Sequence, residues 1–182
     1  MSRGLVIAAP ASGAGKTMIV AGLLAAFRAR GLDMRAAKSG PDYIDPAFHA
    51  AASGRECVNL DAWAMPPAQL RGLAAAQGGD VLLVEGAMGL FDGAPDVSTP
   101  MGRGAVAELA GVLNLPVVLV VDASRAAQTV APALHGLRLA LAGRAGASGG
   151  DIYEQKMAGV ILNRVGSARH EAMLRAALGH YG

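Results

Sequence analysis

The sequence predicts an α/β fold: a doubly wound parallel sheet of about five strands with helices on both faces. Two observations carry that expectation. Five short runs rich in Val, Leu, Ile and Ala are apolar along most of their length instead of alternating, as strands covered on both faces require. Between them lie stretches with the three-to-four-residue apolar spacing of helices. A length of 182 residues suits one domain.

The strands are expected at 5–9 (LVIAA), 34–38 (MRAAK), 81–85 (VLLVE), 117–121 (VVLVV) and 159–163 (GVILN). A helix over 16–30 places Ile19, Val20, Leu23, Leu24 and Phe27 on one face, and Gly31 suits the position just past its end. Further helices are expected at 67–76, 104–113, 126–142 and 168–178. Residues 143–150 (GRAGASGG) read as a low-complexity loop. The stretch 38–49, KSGPDYIDPAFH, has neither helical nor strand periodicity. It reads as a long structured loop after the second strand, where most connections take about 4–6 residues.

Composition narrows the function classes. Hydrophobic residues make up 53% and charged ones 16%, so the core is built from Ala, Val and Leu. The formal charge is +2 with the Arg residues scattered, which argues against a nucleic-acid partner. The longest apolar stretch, 105–121, is interrupted by Glu108, Asn114 and Pro116, so no membrane span is expected. The single cysteine, Cys57, excludes an internal disulfide, reads as a packing thiol and points to a reducing, cytoplasmic setting. The opening MSRGLVIAAPAS reads as a strand running into a phosphate loop and not as a secretory leader.

That loop is residues 10–17, PASGAGKT. The phosphate-loop pattern asks for Gly, four residues, then Gly-Lys-Ser/Thr; Pro10 replaces the first Gly while Gly15, Lys16 and Thr17 match. Gly13 and Gly15 let backbone N–H groups turn towards phosphate oxygens, with Ser12, Ala14 and Met18 completing the nucleotide cradle. Lys16 would reach the β and γ phosphates and Thr17 would hold Mg²⁺. ATP and Mg²⁺ are therefore the expected cofactors. Magnesium needs further oxygen ligands, and Glu85, at the end of an apolar strand, is placed to supply one. Asp42 and Asp45 lie in 38–49. Asp45, before Pro46, and Asp92, before Gly93, also read as turn-formers, and Asp122 as a helix cap. The four histidines (49, 135, 170, 180) lack metal-ligand spacing, and His49 is open between a structural and a functional role.

Three segments resemble the signatures of the cobyrinic or hydrogenobyrinic acid a,c-diamide synthase family: KSGPDYIDPAFH (38–49), NLDAW (59–63) and EGAMGLFDG (85–93). The phosphate loop with its replaced first Gly fits that family too, which is similar in fold to dethiobiotin synthetase. The resemblance is dense from about residue 4 to 104 and thinner beyond. It implies a phosphate-loop NTPase fold and a carbon–nitrogen ligase: ATP- and Mg²⁺-dependent amidation of the a and c side-chain carboxylates of a corrin-type tetrapyrrole, through an acyl phosphate, in cobalamin biosynthesis.

The resemblance also implies site roles. Lys16 and Thr17 bind phosphates and Mg²⁺, with Asp42 and Glu85 as further metal ligands. Tyr43, Ile44 and Asp92 position the corrin carboxylates or the phosphorylated intermediate. Lys38 stabilises charge on the transferring phosphoryl group, and Asn163 reads adenine. Family members draw ammonia from a class I glutaminase domain. None is visible in this sequence, which therefore reads as an isolated or truncated synthetase half dependent on free ammonia. A homodimer is left open. Two competing readings remain: a partition-type switch ATPase, disfavoured because Ala11 stands where that class carries a second Lys, and a small-molecule kinase.

Overall fold

The computed structural model describes residues 3–95, 102–143 and 156–181. Strand and helix alternate through β1 (Gly4–Ala8), α1 (Lys16–Ala29), β2 (Met34–Ser39), α2 (Asp45–Ser53), β3 (Cys57–Leu60), α3 (Pro67–Ala76), β4 (Val81–Glu85), α4 (Val106–Leu113), β5 (Val117–Asp122), α5 (Val130–Ala142), β6 (Met157–Asn163) and α6 (Ala168–Gly179). The strands form one parallel sheet in the order β3-β2-β4-β1-β5-β6. The chain leaves β1 towards one edge to build β2, and later passes to its other side to build β5. Sheets of this kind bind ligands beyond the carboxyl ends of the strands at that switch point.

Alternation within β1 shows why the strand runs are continuously apolar. Val6 and Ala8 join Leu82, Val84 and Leu119 under α3, α4 and α5, where Leu70, Leu109, Ala110 and Leu134 are buried. Ile7 and Ala9 face the opposite way, with Ala36, Leu83 and Val120 against Val20 and Leu24 of α1. Both faces are covered, so the strands are apolar except near their carboxyl ends, where Lys38, Ser39 and Glu85 are buried. α6 packs on α5. Among the described residues no helix is long and apolar enough to cross a membrane.

The sheet has six strands where about five were expected. The addition is β3, a four-residue edge strand, CVNL, paired only with β2 and half-buried at three of its positions. Nothing in so short a run distinguishes it from a loop. The stretch 38–49 also differs from the expectation, because most of it is regular: Lys38 and Ser39 finish β2, and Asp45 begins α2. Pro46 sits in the first turn, where its fixed φ and missing N–H are harmless. Asp42 Oδ1 accepts the N–H groups of Ile44 and Asp45 at 2.8 and 3.1 Å, and Gly54, at φ 70°, ends the helix.

Asp122 is not a helix cap. Its Oδ1 accepts from Ser124 N at 2.9 Å, and α5 starts only after Thr129. The glycine-rich stretch after Gly143 lies outside the described residues.

Leu83 is 1% exposed at the centre of the sheet and Leu139 is 57% exposed on α5. Leu83→Ala is expected to cost about 2–5 kcal/mol. Leu139→Ala should stay within about 0.5 kcal/mol. Urea denaturation of both variants measures the difference.

Candidate active site

Beyond β1 the chain turns back on itself to start α1, and the turn needs two left-handed residues: Gly13 at φ 80° and Gly15 at φ 92°. A Cβ on Gly15 would also lie 2.5 Å from Asn163 Nδ2. α1 begins at Lys16 with no acidic residue in its first turn and no side-chain cap. Its leading N–H groups and the positive end of the helix therefore suit an anion. A cleft of about 370 Å³ opens there, lined by Gly13, Lys16, Thr17, Lys38, Asp45 and Glu85 among others.

The sheet register sets the centre of this cleft. Lys38, near the end of β2, is paired with Glu85, the last residue of β4. Glu85 is 1% exposed. Its Oε1 accepts from the Thr17 hydroxyl at 2.7 Å and lies 3.2 Å from Lys38 Nζ. Its Oε2 meets His49 Nε2 at 2.5 Å. Lys38 Nζ also donates to Asp45 Oδ2 at 2.5 Å and lies 3.7 Å from Asp42 Oδ2. The Thr17 hydroxyl comes within 3.3 Å of that same Asp45 oxygen.

Charge balance follows from these contacts. Burial alone would push the Glu85 carboxyl up, but the hydrogen bond from His49, the Lys38 charge and the Thr17 hydroxyl outweigh it and hold it below the usual range. Burial would likewise lower Lys38, yet Asp45 and Glu85 raise it above its ordinary value. Lys16 goes the other way. Its ammonium is buried and donates to the Met88 carbonyl at 2.7 Å, and desolvation, helped by Lys38, lowers its pKa. For Asp42, too, burial works against the charged form, and the N–H groups of Ile44 and Asp45 with Lys38 overcome it.

Lys16, Thr17, Lys38 and Glu85 thus converge as the sequence suggested. Asp42 lies on the rim, with one oxygen committed to the turn before α2 and the other facing Lys38. Asp45, open in the sequence between a site acid and a turn-former, is a second acid beside Thr17 after Glu85. Tyr43 and Ile44 project into solvent at 87% and 55% exposure. Asp92 Oδ2 accepts from Gly89 N at 2.9 Å and closes the turn that carries Met88. Ser12 and Gly13 line the cleft, the Ala14 side chain is buried, and Met18 is exposed on α1. Asn163 Nδ2 donates to the Ala14 carbonyl at 2.9 Å while its Oδ1 accepts from Arg164 N, which fixes the amide and leaves its second N–H and one oxygen lone pair uncommitted by these two bonds.

His49 and Arg164 were not singled out as site residues. Arg164 Nη1 donates to the Gly13 carbonyl at 3.0 Å and to Asp122. Asp45 and His49 are four residues apart, so recognising α2 would have placed both on one helical face turned to the cleft.

A family profile described as the CobQ/CobB/MinD/ParA nucleotide binding domain matches residues 5–181. The chain belongs to that family. It is 53% identical over 177 residues, 96% of its length, to hydrogenobyrinate a,c-diamide synthase of Rhizobium meliloti (strain 1021), covering 38% of that protein. It is 50% identical over 181 residues to the Rhodobacter capsulatus protein of the same name, covering 99% of this chain and 39% of that one. The chain therefore spans under two fifths of the length of the curated relatives it matches. Among solved structures, the signal recognition particle 54 kDa protein of Aeropyrum pernix K1 in complex with GDP aligns over 98% of the chain and 39% of its own, with TM-score 0.57 at 16% identity. A Cyanothece McdA variant with ATP aligns over 100% of the chain and 79% of its own, with TM-score 0.56 at 13% identity. At such identities these two support the family's fold alone.

The paired charges set a pH signature of stability. Glu85 titrates below its ordinary 4.5 in the folded state, so its contribution is complete above that value and lost as pH falls through the folded-state titration. Lys38 is raised above 10.5, so its contribution is complete below that value and lost as pH rises further. Lys38→Met is expected to lower the melting temperature at neutral pH and to flatten both limbs. Thermal melts across pH in EDTA check this; limbs as steep as those of the native chain would refute the pairing.

Proposed function

We propose that this chain is the ATP-dependent carboxylate-activating portion of a hydrogenobyrinate a,c-diamide synthase. The observation that carries the reading is the convergence of Lys16, Thr17, Lys38, Asp45 and Glu85 on one cleft beside the exposed Tyr43 and Ile44. Identity of about half to relatives of that name supports the substrate class.

A carboxylate is a poor electrophile. One of its oxygens attacks the γ-phosphorus, the bond to ADP breaks, and the acyl phosphate formed carries a good leaving group. Ammonia then attacks the carbonyl carbon, loses a proton and expels phosphate to leave the amide. The protein's part is positioning and charge. Lys16 and the first N–H groups of α1 would bind the phosphates. Lys38, among three carboxylates, would supply positive charge to the transferring group. Tyr43 and Ile44 follow β2 and Asp92 follows β4, in segments beyond the carboxyl ends of those strands, and would orient the tetrapyrrole carboxylate.

The donor set fits magnesium. Among the described residues no three His, Cys, Asp or Glu side chains gather into a self-sufficient metal site. Instead a Thr hydroxyl and two carboxylates offer only hard oxygens, leaving phosphate and water to complete an octahedral shell. Thr17, Asp45 and Glu85 would hold the ion, which would supply positive charge against that of the phosphate oxygens. Asp42, expected from the resemblance as a ligand, keeps in this proposal the role of shaping the turn and facing Lys38. A glutaminase-derived ammonia supply accompanies the reading and rests on the resemblance alone; a cytoplasmic setting rests on the single cysteine, and a homodimer is left open.

Incubation with ATP, Mg²⁺, ammonium and hydrogenobyrinic acid is expected to form ADP in step with the amide product, followed by mass spectrometry. ATP turnover indifferent to the tetrapyrrole would sink the proposal in favour of a switch ATPase, and a phosphorylated end product in favour of a kinase.

The two aspartates should separate. Asp45→Asn is expected to reduce Mg²⁺-dependent turnover by about 100-fold or more, beyond what loss of an outer-shell partner costs. Asp42→Asn keeps an oxygen for the two N–H groups and should lose less than about 10-fold. Steady-state kinetics against Mg²⁺ concentration distinguish them, and the reverse order would return the ligand role to Asp42.

A further inference from the structure

His49 is 0% exposed, on the inward face of α2 one turn beyond Asp45. Its Nε2 meets Glu85 Oε2 at 2.5 Å, while its Nδ1 is buried with no hydrogen-bond partner among the described residues. An N–H at Nδ1 would be stranded away from water, whereas a bare lone pair there costs less. The proton therefore belongs on Nε2, donated to Glu85. A dry imidazole with half its polar capacity unused is a poor choice for simple packing, since an apolar ring would fill the space without that penalty.

The contact divides the labour of the Glu85 carboxylate. Oε2 is engaged by His49, so Oε1 alone is turned to the Thr17 hydroxyl and to Lys38 Nζ. We propose that His49 is a positioning residue that makes Glu85 a one-oxygen ligand and so sets the site for Mg²⁺ against Ca²⁺. Magnesium takes single oxygens in a tight octahedron at about 2.0–2.1 Å. Calcium accepts six to eight oxygens at about 2.3–2.6 Å and readily uses both oxygens of one carboxylate. A Glu85 released from His49 could rotate and offer both. The inference rests on the metal-assisted reading above and adds which ion the site selects.

The test is binding of a fluorescent ATP analogue to the full chain in Mg²⁺, in Ca²⁺ and in EDTA, with thermal melts alongside. His49→Phe keeps the ring and removes the donor. It is expected to weaken binding in Mg²⁺ by about 10–100-fold, the usual cost of losing an outer-shell partner. Binding in EDTA should not change and binding in Ca²⁺ should fall less, so that the preference for Mg²⁺ shrinks. His49→Gln, which retains an N–H donor, should recover part of the preference. His49→Asn fits the same space but falls short of Oε2, and it carries the same expectation if the Phe variant does not fold. Equal losses in Mg²⁺, Ca²⁺ and EDTA would mean that His49 only packs, and an unchanged Mg²⁺ to Ca²⁺ ratio would also overturn the proposal. If the unaltered chain bound nucleotide equally with and without Mg²⁺, the metal reading itself would fall, a different result from either.

Discussion

A single buried carboxylate organises the working end of this sheet. Glu85 ends β4 at 1% exposure, and a charge so placed is tolerated only with close partners, because desolvation costs several kcal/mol per ion. Its partners come from three other elements: Thr17 from α1, Lys38 from β2 and His49 from α2. Satisfying one side chain therefore fixes the phosphate loop, the second strand and the following helix relative to one another. The arrangement of polar groups in the cleft is a by-product of that electrostatic requirement, so they are set in place before any ligand arrives.

The other flank of the phosphate loop is held differently, by polar contacts near the surface. Asn163 and Arg164, at the end of β6, donate to the carbonyls of Ala14 and Gly13. Arg164 adopts φ 59°, a left-handed conformation that costs a non-glycine residue free energy. Its guanidinium also pairs with Asp122, whose carboxyl is held down to about 2 by Ser124 and then by Arg164. The loop is thus tied to the strand most distant from it in sequence. Glycine at position 15 suits both its φ of 92° and that tie, since a Cβ there would lie 2.5 Å from Asn163 Nδ2 and push the amide aside.

The layers of the fold were legible because burial on both faces writes short continuous apolar runs: VLLVE and VVLVV are too short and too rich in Val to favour a helix. Lys16, Thr17 and Glu85 were legible because a phosphate loop and a strand-end acid announce themselves by position. β3 was not, since four residues at a sheet edge, half in water, carry no period. α2 was hidden by its own start, where two prolines, a glycine and the Asp42 turn look like continuous loop. Missing that helix meant missing its face. Asp45 then stayed open between a site acid and a turn residue, and His49 between a structural and a functional role, although their four-residue spacing turns both to the cleft. Asp42 is the converse case. Its place in a signature suggested a metal ligand, and only the backbone N–H groups that occupy its oxygen reveal its work in the turn.

The two lysines show how the site keeps positive charge ready without an anion. Lys38 is compensated by carboxylates and its pKa rises; Lys16 is lowered by burial and, among the described residues, has the Met88 carbonyl as its hydrogen-bond acceptor. The Met88 carbonyl is in turn held in place by a turn at its limit of crowding. Met88 itself has φ 49°, and a Cβ on Gly89 would lie 2.7 Å from the Pro10 carbonyl and 2.6 Å from Asp92 Oδ2. Asp92 closes that turn by accepting from Gly89 N. The segment EGAMGLFDG therefore does two things with one short chain: its first residue supplies the buried carboxylate, and its Asp-Gly end fixes the carbonyl on which the phosphate-loop lysine rests. Phosphate oxygens approaching Lys16 exchange a single neutral acceptor for charged ones, an exchange that favours the anion because the competing contact is weak.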